Sequence, residues 1–163
     1  MKTKLFLLLY LFTVLICFAS SLTLVSCSNQ NNHSQFVDFG QNNRWQKADA
    51  RTFDFDITDD AQLYNLIFKF SHVYDYQFTT VPIIFTIENP AGEKEKITID
   101  LAIKDSAGKE LAECAGDVCD LNYKIKEKTK LQKGKYKVTI SHSFEGPYLP
   151  NVLGIGLNVE SVK

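Results

Sequence analysis

From Trp45 to the end of the chain, apolar residues recur at every second position, and no stretch shows the 3.6-residue spacing of an amphipathic helix. Phe53, Phe55 and Ile57 alternate with Asp54 and Asp56, and Tyr64, Leu66, Phe68 and Phe70 alternate with Asn65, Ile67 and Lys69. Val81, Ile83, Phe85 and Ile87 form a third run, which contains Pro82 and therefore predicts an edge or bulged strand. Ile97, Ile99, Leu101 and Ile103 follow the turn signal Asn89-Pro90-Ala91-Gly92, and end at Asp105-Ser106-Ala107-Gly108. A short strand is expected from Lys109 to Glu113. Leu121, Tyr123 and Ile125 form the next run, then Tyr136, Val138, Ile140 and His142 after Lys133-Gly134, then Ile155, Leu157 and Val159 within Gly154 to Val162.

About eight short strands, each with one apolar and one polar face, predict an all-β antiparallel sandwich, with a jelly-roll-like order as one way to connect them. There is no internal repeat and no second domain. The expected organisation is 1–26 signal peptide, 27–35 modified cysteine and tether, and 36–163 sandwich.

The amino terminus is of a different kind. Lys2 and Lys4 precede the uncharged run Leu5 to Phe18, and the small residues Ala19, Ser20 and Ser21 follow, as in a secretory signal. Leu24-Val25-Ser26-Cys27 resembles the bacterial lipobox, in which the cysteine is acylated and becomes the first mature residue. An uncleaved anchor is the competing reading, since Leu5 to Val25 is 21 residues long. Thr13, Ser20, Ser21 and Thr23 interrupt that stretch and no basic cluster follows it. Several acyl chains on Cys27 would hold the protein firmly on a membrane, where one chain alone anchors poorly. Ser28 to Gln35 carries nothing apolar and reads as a flexible tether spanning roughly 15 Å. Serine rather than aspartate after the cysteine favours the outer membrane, and the lack of an acidic run in the tether favours a periplasm-facing domain.

Without residues 1–26, 137 of the 163 residues remain, with 16 Lys+Arg against 19 Asp+Glu, a net charge of −3. That charge offers no footprint for nucleic acid. Cys17 departs with the signal and Cys27 is acylated, which leaves Cys114 and Cys119. In an oxidising envelope this pair is expected to close as a disulfide, contributing about 2 kcal/mol. Two free thiols, zinc and redox use are the alternatives. Zinc would need two more ligands, and His72 and His142 lie far off along the chain without the usual spacing. The four intervening residues are not those of C-x-x-C. No metal or other cofactor is expected.

Candidate chemistry is sparse. Asp54 to Asp60 is the densest acidic cluster, but a calcium loop would place Asp59 where glycine is required and Asn65 where glutamate is required. There is no G-x-S-x-G elbow, and Gly154-Ile155-Gly156 lacks the third glycine of a dinucleotide turn. His142, at an apolar phase, reads as a packed histidine. The chain is expected not to be an enzyme. Loop aromatics remain: Tyr74 and Tyr76 in His72-Val73-Tyr74-Asp75-Tyr76, and Tyr148 in Gly146-Pro147-Tyr148-Leu149-Pro150. They could dock an envelope protein or stack on the sugar rings of a glycan.

The lipobox is followed in order by Trp45-Gln46-Lys47-Ala48-Asp49, Phe53, Tyr64-Asn65-Leu66, His72, Tyr74 with Tyr76, and Pro90-Ala91-Gly92. Asp105 with Gly108, Gly116-Asp117, Gly134-Lys135-Tyr136 and Gly154-Ile155-Gly156-Leu157 complete the series. Over roughly residues 36–160 this order resembles the GldH family of gliding-motility lipoproteins of Bacteroidetes. Cys114 and Cys119 depart from the family pattern and imply a clip particular to this branch. The resemblance implies a membrane-anchored accessory component of the gliding and associated secretion apparatus, with no catalytic residues to carry over.

Overall fold

The computed structural model describes residues 32–162, all of whose regular structure is β-strand. Eleven strands are formed: β1 (His33–Asp38), β2 (Arg44–Gln46), β3 (Arg51–Ile57), β4 (Leu63–Val73), β5 (Thr80–Glu88), β6 (Lys94–Ala102), β7 (Glu113–Ala115), β8 (Val118–Lys130), β9 (Gly134–His142), β10 (Tyr148–Pro150) and β11 (Val152–Val162). They build a five-stranded sheet in the order β1-β11-β4-β8-β7, a four-stranded sheet β3-β9-β5-β6, and a two-stranded ribbon β10-β2. All pairings are antiparallel. The chain winds back and forth between the two larger sheets, with only the β5–β6 and β7–β8 hairpins staying within one.

The alternation of apolar residues becomes the core. Phe68 of β4 meets Phe85 of β5 edge-on across the sheets, with ring centroids 5.2 Å apart, and both are fully buried. Phe85 also stacks over Tyr123 of β8 at 6.4 Å, and Phe55 of β3 over Tyr136 of β9 at 5.3 Å. This is the sandwich the alternation predicts, with more strands than the eight expected.

Three differences have physical reasons. First, β5 lies inside its sheet, between β9 and β6, although it contains Pro82. The ladder to β9 ends at Ile83, and Pro82 faces the strand end, where its carbonyl accepts the Ser143 N–H at 3.1 Å. Its missing N–H thus falls just beyond the paired region. Second, the strand expected over Lys109 to Glu113 is displaced to β7, and Glu110 makes only an isolated bridge with Lys104.

Third, β1 takes in His33 to Gln35, which the sequence pattern places in the tether; Asn32 before it accepts the Ser161 N–H at 3.0 Å, while Cys27 and tether residues 28–31 lie outside the described residues. Strand β1 also closes one side of the sandwich. It pairs with β11, while the Gln35 side-chain amide donates to the Asp54 carbonyl at 2.6 Å and His33 Nε2 lies 3.0 Å from the Asp56 carbonyl. The free edge of β3 is thereby covered, which removes a template for pairing with another chain.

Gly154 and Gly156 make this close approach possible. A Cβ at Gly154 would stand 2.5 Å from the Val37 carbonyl oxygen, and one at Gly156 2.7 Å from that of Gln35. Because both neighbours are backbone, β1 would have to move. Gly156→Ala is expected to cost about 1–3 kcal/mol and to raise hydrogen exchange selectively at β1 amides. Unchanged β1 protection would refute this role.

Candidate functional site

The 74–79 loop, the segment 103–111 and the β7–β8 hairpin meet at one end of the sandwich. Val118 is the cross-strand partner of Val73, and the Tyr74 N–H donates to the Asp117 carbonyl at 3.0 Å. The Ile103 and Lys104 amides donate to the Thr79 carbonyl, and Lys104 Nζ reaches Asp75 at 2.9 Å. The Asp75 hydrogen bond raises the Lys104 pKa above its ordinary value. This end presents Tyr74 at 60% exposure, with Leu111 and Val118 each at 47%.

Only one of the three loop tyrosines is an exposed ring. That ring is Tyr74. Tyr76 is 1% exposed and sits among Phe70, His72 and Phe78, with the His72 ring centroid 4.9 Å away. Its phenol pKa is raised by burial, and its hydroxyl has no hydrogen-bond partner. The cause lies at Asp75, whose φ of +53° breaks the extended backbone and turns Tyr76 inward. Tyr148 is half-buried on the β10–β2 ribbon, with the Arg44 guanidinium 4.5 Å over its ring. The loop aromatics Tyr74 and Tyr76 therefore do not present their rings together at the surface.

Cys114 and Cys119 are joined by a disulfide across the β7–β8 hairpin, where they are direct ladder partners. Cys114 is exposed and Cys119 fully buried. Next along the same row of the five-stranded sheet is His72, the β4 partner of Cys119. His72 thus belongs to a strand and not to the loop, and the two residues that seemed far apart along the chain are neighbours.

His72 is completely buried, its Nδ1 2.9 Å from the Val73 carbonyl and its Nε2 3.5 Å from Glu110 Oε1. Sequence reasoning missed Glu110 altogether, because it lies on an irregular segment whose position is set by the bridge to Lys104. Asp120 lies beside this row. Burial pushes its carboxyl pKa up, but hydrogen bonds from Lys69, at 2.8 Å, and Ser71 outweigh that effect and hold it below the ordinary value.

His142 is buried against Trp45, with ring centroids 4.8 Å apart and Nε2 3.1 Å from the Trp45 carbonyl. Burial lowers its pKa, as befits a packed histidine. In the acidic cluster, Asp59 accepts the Ala61 N–H at 2.9 Å and the Gln62 amide at 2.7 Å, which is the geometry of a turn. A groove of about 410 Å³ opens at the far end of the sandwich between Lys94, Glu95, Lys126 and Lys130.

Fold and sequence together define a class: a β-sandwich preceded along the chain by the lipobox-like Leu24-Val25-Ser26-Cys27, with an apolar, disulfide-clipped end. Residues 33–159 match the model of the GldH lipoprotein family, and the chain belongs to that family. It is 27% identical over 138 residues to the gliding motility lipoprotein GldH of Flavobacterium johnsoniae, covering 84% of this chain and 85% of that protein. Membership makes it a lipoprotein of the cell envelope.

Among solved structures, dimeric latent PorU from Porphyromonas gingivalis overlaps 80% of this chain and 13% of its own, at 10% identity and a TM-score of 0.35. A GH115-family 4-O-methyl-α-glucuronidase overlaps 74% of this chain and 14% of its own, at 12% identity and a TM-score of 0.35.

Proposed function

We propose that the protein is a non-enzymatic accessory component of the gliding-motility and associated secretion apparatus, anchored through acyl chains on Cys27 and docking an envelope protein through the Tyr74 end. The observation that carries this is the placement of Tyr74, Leu111 and Val118 relative to where the chain enters the sandwich. His33 pairs with Val159, which in turn pairs with Leu66 of β4, whereas Tyr74 follows the other end of β4 at Val73. Seven residues of strand separate Leu66 from Val73, about 23 Å at the usual rise. A domain held by a short segment at the His33 end therefore directs its apolar end away from the membrane. Tethering raises the effective concentration of that end on a neighbouring envelope protein.

The outer membrane and a periplasm-facing domain are the locations this reading adopts, from Ser28 and the uncharged tether. The glycan reading is not favoured. It rests on loop aromatics, and of these Tyr76 is in the core and Tyr148 half-buried.

A photo-crosslinker placed at Tyr74 in living cells should capture one envelope protein, and the same probe at exposed Glu127 on the opposite end should not. Tyr74→Ala should reduce co-purification of that protein about tenfold or more, as truncation of an interface aromatic does. Equal capture from both positions, or unchanged co-purification, would overturn the docking surface.

A further inference from the structure

We propose that reduction of the Cys114–Cys119 disulfide creates a zinc-type metal site whose ligands are His72 Nε2, Glu110 Oε1 and the thiolate of Cys119. The three donor atoms already lie within 4.8 Å of one another, and His72 and Cys119 have no solvent exposure.

The orientation of the His72 ring carries the argument. Nδ1 faces the Val73 carbonyl at 2.9 Å, so Nδ1 bears the proton and donates. With Nδ1 donating to that carbonyl, Nε2 is the ring atom that faces Glu110 Oε1, itself an acceptor, 3.5 Å away. Neither atom has a hydrogen-bond partner, and both are buried. Two buried acceptors facing each other repel unless a proton or a metal cation lies between them, and a cation held by both would satisfy both. A backbone carbonyl holding the far nitrogen of a histidine is also the arrangement that fixes metal-ligating imidazoles.

The distances suit a tetrahedral ion. Nitrogen and oxygen ligands at about 2.1 Å from zinc stand about 3.4 Å apart, close to the 3.5 Å between Nε2 and Oε1. In the disulfide the Cys119 sulfur has no charge to offer. Freed of that bond it can rotate toward the other two donors as a thiolate. Imidazole, carboxylate and thiolate together suit zinc, with a fourth position left open.

The hairpin is built for this exchange, since Cys114 is exposed while Cys119 is not. One thiolate of a dithiol reductant, of the thioredoxin class, attacks the Cys114 sulfur. The S–S bond breaks and its electron pair leaves on Cys119. The second thiolate of the reductant then attacks its own sulfur in the mixed disulfide and releases Cys114. The dithiol departs as a disulfide, having given two electrons and two protons to the two cysteines. Metal binding displaces the Cys119 proton to solvent.

The test uses the full lipidated chain in detergent, purified without a histidine tag and stripped of metal with a chelator. Cys114→Ser frees Cys119 without any reductant, by a substitution at an exposed position. This variant should bind one Co²⁺ per chain with the absorption of a tetrahedral, thiolate-ligated ion, and Zn²⁺ should displace it. Wild-type protein reduced with a phosphine and desalted should give the same spectrum; the oxidised protein should not. Within the Cys114→Ser background, Glu110→Gln, nearly isosteric, and His72→Gln should each weaken Co²⁺ binding about 100-fold. Absence of the thiolate-ligated spectrum in both the Cys114→Ser and the reduced wild-type protein would overturn the site. So would affinity unchanged by Glu110→Gln in a variant whose Trp45 emission shows it folded.

Discussion

Replacing Trp45 by alanine is expected to cost about 3–5 kcal/mol of folding stability. That corresponds to a fall in Tm of about 10–20 °C for a domain of this size. The tryptophan has no solvent exposure, and it stacks on Phe39 at 5.6 Å and meets the edge of His142 at 4.8 Å. Its indole N–H donates to the Asp49 carbonyl at 2.7 Å, which ties β2 to the start of β3. Opposite it in the ribbon lies Leu149, also fully buried. Alanine would leave a cavity, and the Asp49 carbonyl would lose its donor.

Because Trp45 is the sole tryptophan, the comparison needs urea unfolding followed by circular dichroism, and Trp45→Phe is the milder control. A loss under about 1 kcal/mol would mean that the ribbon opens freely and adds little to the core. The damage should be graded, greatest in β2 and β10 and least in the β4–β8 pairing.

The long strands were legible because burial enforces period two over many residues. β3, β4, β5, β6, β8, β9 and β11 all follow it. The three-residue strands β2 and β10 are too short to display a period at all, and β1 is mostly polar because its outer face is solvent. Local chemistry also misled at Tyr76. Tyr74 and Tyr76 stand two apart and would share a face in a strand, but the left-handed turn at Asp75 separates them into surface and core.

The pairing of Cys114 with Cys119 was legible because it is local. The adjacency of His72 to Cys119 was not, since it depends on the register between β4 and β8. A sequence shows which residues want burial far better than which of them will meet. Gly154-Ile155-Gly156 illustrates the same limit. It lacks the third glycine of a dinucleotide turn, and its actual requirement, room for β1, appears only once the strands are placed.

Changing Cys27 to serine should have the largest effect on where the protein resides and almost none on how it folds. Thiol modification at the lipobox depends on sulfur nucleophilicity, and a serine hydroxyl at neutral pH is a far poorer nucleophile than a cysteine. The expected product is an unprocessed precursor that keeps its first 26 residues and incorporates no labelled fatty acid. Each acyl chain contributes about 0.8 kcal/mol per buried methylene, so losing all of them removes the anchor that a mature lipoprotein relies on. The sandwich begins its first strand at His33, six residues past the cysteine, and draws its core from Trp45 onward. Trp45 emission, the Cys114–Cys119 bond and the unfolding midpoint should therefore match wild type. Crosslinking from Tyr74 to the proposed envelope partner should nevertheless fall sharply, since a precursor held back with its signal segment would not bring an intact docking surface to that partner. A Cys27→Ser protein that still fractionates as a mature, fatty-acid-labelled membrane species would refute the lipobox. Crosslinking at the wild-type level from an unlipidated chain would instead show that the anchor concentrates nothing, and that the Tyr74 end finds its partner on affinity alone.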